Sequence, residues 1–342
     1  MKFKKRLPDA DELRRELALT SGQQKERLEV INELKAILDG KCQKKIVIVG
    51  PCSADREDSV LEYMNRLALL RDEVKNQLCI IPRIYTSKPR TNGKGYKGLV
   101  HRPDVAVDRD DIYDGILATR QMHYHIIKET GMFGADEILY PEAHYYIADL
   151  LAYSAVGARS VENQQHRLIA SGLDMPVGMK NPTSGDSEIM LNSVLAAQNK
   201  QTFLYHGYEC ESRGNAYAHA VLRGYTDMTR KSHSNYHYED ISDLFDLCQK
   251  KNIMNANVII DCNHDNSRKH YDEQIRIGKE VFSLCRDYSF INEFVKGVMI
   301  ESYLEDGAQM IGENIYGKSV TDPCLGWYKT EKMIKDLAEM IV

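Results

Sequence analysis

Five apolar stretches of this chain each run into a residue type that binds an anion or a metal ion. Ile46–Val49 leads into Gly50-Pro51-Cys52-Ser53, and Cys79–Tyr85 carries Arg83 and leads to Lys88-Pro89-Arg90-Thr91. Pro176–Met179 ends at Lys180, Val258–Ile260 runs into Asp261-Cys262-Asn263-His264, and Val295–Ile300 ends at Glu301. Short buried strands that each deliver a reactive group at the C-terminal end point to a parallel β/α barrel, with an active site on that face. An enzyme is therefore expected.

Cys52, His264, Glu301 and Asp322 offer one soft, one borderline and two hard donors. Such a set suits a divalent first-row metal ion and does not select sharply among them. Each residue also has a structural reading. Cys52 reads equally as an inert buried thiol, His264 as a hydrogen-bonded strand-end histidine, and Glu301 as the partner of a lysine. Asp322 precedes Pro323 and reads as a helix N-cap with proline at the first helical position. Nothing in their spacing unites the four. Arg159 follows the fourth apolar strand and immediately precedes a helix, where backbone N–H groups can share an anion with its guanidinium; its alternative is a surface arginine. Lys180 reads otherwise as a snorkelling lysine. Arg223, in Ala220-Val-Leu-Arg-Gly224, is not distinguishable from a structural arginine by composition, and Glu137 is a carboxylate in or at the end of a strand, where it needs a partner.

The elements that must position these groups alternate along the chain. Strands are expected at 45–49, 79–85, 135–140, 155–159, 176–180, 202–206, 257–262 and 295–301. Helices are expected between them at 59–75, 111–129, 142–153, 161–172, 186–199, 238–251 and 272–290, with a last one at 323–341. Eight of each is the count of an α/β protein of the (β/α)8, or TIM, barrel type. An amphipathic stretch at 9–38, broken near Thr20-Ser-Gly22, precedes the first strand. The expected division is an N-terminal helical extension at 1–40, with an oligomer or regulatory role, and a catalytic barrel at 41–342. The segment from Lys88 to Asp108 carries no helix or strand signal. It holds Lys88, Arg90, Lys94 and Lys97 among Gly93, Gly95 and Gly98, a composition suited to close backbone approach to a phosphate. Pro82 fits a central strand poorly, because it cannot donate to a ladder. Beside it, a buried Arg83 requires an anionic partner.

The bulk composition narrows the class. With 342 residues, 43% hydrophobic and 28% charged, the chain is long enough for a sizeable core. A net charge of −5 argues against a general nucleic-acid surface, while a locally cationic site attracts a small anion such as a sugar phosphate. The eight cysteines, at 42, 52, 79, 210, 248, 262, 285 and 324, form no CxxC pair. No signal peptide is read at the start, and no run approaches the roughly 20 apolar residues of a membrane span. The expectation is a cytoplasmic protein with reduced thiols and no membrane partner.

Four segments occur in order: Gly50-Pro-Cys-Ser53, Lys88-Pro-Arg-Thr91, Gly157-Ala-Arg-Ser160 with Glu162 and His166-Arg167, and Tyr316-Gly-Lys-Ser-Val-Thr-Asp-Pro-Cys-Leu-Gly-Trp327. Together they resemble the type I 3-deoxy-7-phosphoheptulonate (DAHP) synthases, and the similarity runs from about residue 10 to the C-terminus. The resemblance implies a metal-dependent (β/α)8 barrel that condenses phosphoenolpyruvate with erythrose 4-phosphate and releases phosphate, at the entry to the shikimate pathway. It implies Cys52, His264, Glu301 and Asp322 as ligands of one divalent ion, manganese foremost, with iron, cobalt and zinc also fitting. Phosphoenolpyruvate would then be held by Arg83, Glu137, Ala158, Arg159, Lys180 and Arg223. Erythrose 4-phosphate would be held by Lys88, Pro89, Arg90, Thr91 and Asp322, with Lys88 at the aldehyde end and Cys52 and His264 at the reacting centre. Phosphorylated small molecules would be the ligands, and a homodimer or homotetramer the assembly. Regulated members bind an aromatic amino acid near the fifth and sixth strands. Here the stretch 203–223 reads short and Tyr205 and Asp174 read bulky or charged, so weak or absent inhibition by phenylalanine and tyrosine is expected. Two alternatives stand beside this reading: the related 3-deoxy-octulosonate-8-phosphate synthase, and a barrel paralogue that binds without turnover. The Lys-Pro-Arg-Thr loop and the long C-terminal segment argue against the first, and the complete set of candidate ligands and cations against the second.

Overall fold

The computed structural model describes residues 1–90 and 93–341. Helices α1 (Ala10–Glu16) and α2 (Ser21–Leu38) lead into β1 (Lys45–Gly50), α3 (Glu57–Val74), β2 (Leu78–Pro82), α4 (Ile112–Thr130), β3 (Ala135–Glu137) and α5 (Pro141–Tyr145). Then come β4 (Tyr153–Val156), α6 (Gln164–Gly172), β5 (Val177–Lys180) and α7 (Ser187–Gln198). A hairpin of β6 (Gln201–Tyr205) and β7 (Tyr208–Ser212) precedes β8 (Ala218–Leu222) and a short ribbon of β9 (Tyr225–Thr226) with β10 (Ser232–His233). The chain finishes with α8 (Tyr238–Lys250), β11 (Val258–Asp261), α9 (Glu273–Asp287), α10 (Ser289–Phe294), β12 (Val295–Glu301) and α11 (Trp327–Glu339).

Eight strands pair in parallel in the order β2-β1-β12-β11-β8-β5-β4-β3. A bridge between Arg83 and Ala135 draws the two edge strands together into a nearly closed barrel. The two-residue period of a strand sorts its side chains. Val47 and Val49 face the outer layer with α3 residues such as Tyr63, Met64 and Leu67. Ile46 and Ile48 belong to a second cluster with Ile81, Val221 and Met299, in the barrel interior. Ile31, Leu34, Ile37 and Leu38 of α2 join that interior cluster, so the N-terminal extension packs onto the barrel itself. Most helices recur at three- and four-residue apolar spacing; in α3 the buried positions are Ser59, Val60, Tyr63, Met64, Leu67, Leu70 and Val74.

The sequence misplaces one barrel strand. Residues 202–206 form β6, which pairs antiparallel with β7 outside the barrel, and its side chains alternate between half-buried and exposed. The sixth barrel strand is β8, seated between β5 and β11 and fully buried. Gln201-Thr-Phe-Leu-Tyr205 has the β-branched and aromatic content that marks strands, whereas Ala218-His-Ala-Val-Leu222 has little of it. Only its neighbours make β8 a strand, with His219 satisfied by the Tyr153 hydroxyl at 2.9 Å. The helix expected at 142–153 is α5 followed by a single 3-10 turn at Ala148–Leu150.

Pro82 is accommodated at the barrel seam. The Arg83 N–H donates to Val49 of β1 and the Ile84 N–H to Ala135 of β3. Side alternates along a strand, so the nitrogen of Pro82, two residues before Ile84, also faces β3, where pairing is reduced to that bridge. The segment after Lys88 folds back on itself: Lys88 N–H donates to the Lys97 carbonyl and Val100 N–H to that of Thr86. Gly98 makes this possible, with φ of +94° and a Cβ that would lie 2.7 Å from the Cα of Ser87.

Candidate active site

Strand ends deliver the candidate donors to one place. Cys52 sits just past β1, Glu301 closes β12, His264 follows β11, and Asp322 lies in the loop before α11. The N-cap of α11 is Gly326, so the capping role open to Asp322 from the sequence does not apply. Ligand atoms of Cys52, Glu301 and Asp322 all lie within 4.8 Å of one another, with Cys52 Sγ 3.7 Å from Asp322 Oδ2. His264 Nε2 is 3.7 Å from Glu301 Oε1, and its Nδ1 is 2.9 Å from Asp261 Oδ2. The thiol and the two carboxylates form the tight group and the imidazole approaches it through Glu301; such a donor set fits a divalent cation, and a carboxylate behind the histidine is the usual support for a ligating imidazole. Glu301 is held on all sides. Arg83 Nη2 donates to Oε1 at 2.8 Å, Asn263 Nδ2 to Oε2 at 2.5 Å, and Gln274 bonds both backbone groups.

These groups perturb one another strongly. Burial, with Glu301 and Asp322 adding to it, pushes the Cys52 thiol up to about 11 against the opposing Lys88 and Arg83. Lys88 chiefly holds the Asp322 carboxyl far below the usual carboxylate range, with His264 and Lys269 assisting. Burial works to raise Glu301, but Arg83, His264 and Lys88 outweigh it and keep the carboxyl low. Burial likewise opposes the Lys88 ammonium, yet Cys52, Asp322 and Glu301 hold it above the ordinary lysine value. Its Nζ lies 2.6 Å from Cys52 Sγ and 3.2 Å from Asp322 Oδ2.

Beside this cluster opens a cationic cleft. It is lined by Arg83, Lys88, Pro89, Arg90, Glu137, Ala158, Arg159, Lys180, Arg223, His264 and Asp322, together with Lys269. Lys180 Nζ bonds Asp261 Oδ2 at 3.0 Å and Arg223 Nη1 bonds Asp265 Oδ2 at 2.7 Å. Arg90 Nε donates to the Tyr96 carbonyl at 2.8 Å. Arg159 is exposed, and α6 begins only at Gln164, behind an Asn163 cap. The helix N-terminus expected directly after Arg159 is therefore displaced by a turn in which the Ser160 and Val161 N–H groups bond Gly157. Glu137 Oε1 is buried without a hydrogen-bond partner among the described residues, and a Cβ on Gly157 would lie 2.8 Å from its Cδ. Thr91 lies outside the described residues.

Of the described residues expected at the site, Cys52 and Glu301 lie in the donor cluster with Asp322, and the others line the adjoining cleft. Sequence reasoning did not single out Asp261, which faces both His264 and Lys180, nor Asp265, nor Lys269, whose Nζ is 2.9 Å from Asp322 Oδ1. Their signal was proximity to His264 in one segment. In that segment His264, Arg268 and Lys269 all adopt left-handed backbone at φ of 54°, 51° and 61°, the kind of local strain that gathers at functional sites.

A parallel (β/α)8 barrel with a ring of fixed cations against an acid–thiol–imidazole cluster, at the C-terminal ends of its strands, is an enzyme built for small phosphorylated anions. Residues 22–335 match the DAHP synthetase I family, and the chain belongs to that family. It is similar to the phospho-2-dehydro-3-deoxyheptonate aldolase of Haemophilus influenzae, at 33% identity over 91% of this chain and 85% of that protein. A Trp-sensitive enzyme of the same name from Enterobacter agglomerans is 37% identical over 90% of this chain and 87% of its own length. The solved structure of the Francisella tularensis SCHU S4 enzyme superposes with a TM-score of 0.91 at 32% identity, covering 100% of this chain and 98% of that one. The family places the protein at the condensation step of aromatic biosynthesis, in the shikimate pathway.

Proposed function

We propose that this protein condenses phosphoenolpyruvate with D-erythrose 4-phosphate and water to 3-deoxy-D-arabino-heptulosonate 7-phosphate and phosphate, with one divalent metal ion held by Cys52, His264, Glu301 and Asp322. The observation that carries the reading is the cationic cleft sharing Lys88 and Asp322 with the donor cluster. Manganese is the ion the family resemblance favours, with iron, cobalt and zinc as competitors, since the donor set itself does not select sharply among them. The ion supplies Lewis acidity toward the aldehyde carbonyl.

The chain's own groups do the rest. Arg159, with the Ala158 backbone and Arg223, takes the phosphate of phosphoenolpyruvate, while Arg83 and Lys180 face its carboxylate. Arg90, beside Pro89 and Thr91, takes the phosphate of erythrose 4-phosphate. Fixed cations offset the repulsion of two anions packed together, and fixed charge needs no reorganisation during reaction. The enol carbon C3 forms a bond to the aldehyde carbon, water adds at C2, and the hemiketal phosphate loses phosphate. Lys88 gives a proton to the aldehyde oxygen as charge develops there. Glu137, which lines the cleft with one buried oxygen unpaired among the described residues, handles the proton of the attacking water.

The extension at 1–40 serves assembly into a homodimer or homotetramer, and a reducing cytoplasmic setting suits eight free cysteines. Among the described residues no helix is long and apolar enough to cross a membrane. Two side chains support weak inhibition by phenylalanine and tyrosine. Asp174 is tied to Arg27 of α2 at 2.9 and 3.0 Å, and the Tyr205 hydroxyl donates to the Pro141 carbonyl. The decisive experiment measures phosphate release with erythrose 4-phosphate against arabinose 5-phosphate, after chelation and re-addition of each metal. Turnover of the arabinose substrate alone, or activity unmoved by chelation, removes the proposal. Cys52→Ala and His264→Ala are expected to lose metal and most activity while keeping the circular dichroism of the parent.

A further inference from the structure

Two lysines stand together at the end of the barrel remote from the catalytic cleft. Lys45 opens β1 and Lys296 is the second residue of β12, and the register Ile46↔Gly297 sets them on neighbouring strands one step earlier. Both are more than nine-tenths buried, at 5% and 6% exposure. Lys45 Nζ gives two of its hydrogens to the carbonyls of Asn292 and Val295, each at 2.7 Å. Lys296 has no hydrogen bond or ion pair among the described residues. Its Nζ reaches the turn after α2, where a Cβ on Gly40 would lie 3.8 Å away.

Both lysines line a cavity of ≈ 650 Å³ between α2, α8 and α10, with Phe245, Phe294, Asn257 and Gln249 among its walls. Two carboxylates share that cavity, but neither forms an ion pair with Lys45 or Lys296. Asp39 is bonded to Lys41 at 2.7 Å, and Glu293 is exposed. Burying one ammonium without a counter-charge is costly, and setting a second beside it adds repulsion. Burial first, and Lys45 next, pull Lys296 down to about 8 against the weaker opposing pull of Glu293, Asp39 and Cys285, and burial lowers Lys45 too. A fold that carries two adjacent buried cations against an open cavity is arranged for an anion from solution.

We propose that the cavity at Lys296 and Lys45 is a binding site for a small oxyanion, a phosphate or a carboxylate, that supplies a direct counter-charge and is separate from the catalytic cleft. The site lies where the N-terminal extension meets the first barrel strand, so occupancy tightens the junction between α2 and β1.

The test is reductive methylation of the full-length protein by formaldehyde at pH 8, read lysine by lysine by peptide mass spectrometry. Inorganic phosphate and malonate are the probes, at constant ionic strength set by chloride. Only neutral amine reacts. An anion that restores Lys296 to the ordinary value near 10.4 should slow its labelling saturably, by up to about a hundredfold, while the exposed Lys332 is unaffected. Protection by phosphate alone assigns a phosphate ligand, by malonate alone a carboxylate ligand, and by both a general oxyanion site. Protection of Lys180 by phosphate in the same sample reports the catalytic cleft independently. Lys296→Met should keep parental turnover, show a higher Tm in chloride buffer and retain the phosphate protection of Lys180. Labelling of Lys296 indifferent to both anions, or a lower Tm for Lys296→Met, overturns the proposal.

Discussion

Removing the Glu301 carboxylate should unfold the protein more readily for a reason unrelated to catalysis. Glu301 and Arg83 are 0% and 1% exposed, and their charges meet at 2.8 Å. At an effective dielectric constant of about 20, a pair at that separation attracts by about 6 kcal/mol, most of it offset by the cost of taking both groups out of water. Arg83 keeps a bond to the Pro51 carbonyl and lies 3.8 Å from the centre of the Tyr85 ring, but neither supplies a full negative charge. Glu301→Ala therefore strands a buried guanidinium and should cost about 3–5 kcal/mol of stability. Arg83→Met, which strands the carboxylate instead, should cost a similar amount. The double variant Arg83→Met/Glu301→Leu removes both charges and should be more stable than either single variant, with no turnover in any of the three. The assay is urea denaturation of the chelated proteins, so that loss of a bound ion does not enter the comparison. A Glu301→Ala protein within about 1 kcal/mol of the parent would show that the pair does not hold this end of the barrel together, and the reasoning would fail.

Four further outcomes are expected. Lys88→Ala should lower turnover by about 10²–10⁴-fold, the range for a lost proton donor, with metal content by elemental analysis unchanged; parental turnover removes its role. Gly157→Ala should push the Glu137 carboxylate out of the cleft, raising KM for phosphoenolpyruvate and lowering kcat in steady-state assays, and an unaltered pair of constants counts against Glu137. Asp55 is raised to about 6, chiefly by burial, above an unfolded value near 3.9. Between those values the folded state keeps a proton that the unfolded chain has lost. Its stabilising contribution is thus complete below about pH 4 and gone once pH has risen through about 6. Asp55→Asn should flatten that part of the stability–pH curve, and identical curves for the two proteins refute the assignment. Phenylalanine and tyrosine should inhibit weakly or not at all in a coupled assay; potent inhibition by either contradicts the reading of Asp174 and Tyr205.

The barrel class was legible in the sequence because strand cores and helix faces are local patterns. Ile46–Val49, Val177–Met179 and Val295–Ile300 announce themselves as buried strands without reference to any partner. The residue types at their ends suggested the chemistry, but each also had a structural reading, and the roles came from the resemblance carried by the four ordered segments. Local pattern failed at β8, where Ala218, His219 and Ala220 are strand residues only because β5 and β11 flank them. It chose 202–206 instead because β-branched and aromatic content marks a hairpin as readily as a barrel strand.

What the sequence determined by itself was therefore the repeat, the donor inventory and the cationic segments, each encoded within a few neighbouring residues. Only the tertiary structure decided that Cys52, Glu301 and Asp322 meet within 4.8 Å, that Asp261 faces both His264 and Lys180, and that Lys296 stands beside Lys45 without an ion pair among the described residues. The physical reason is that closing a barrel joins residues as far as 272 positions apart. Partnership across that distance follows from register and packing between strands, which no short stretch of chain specifies.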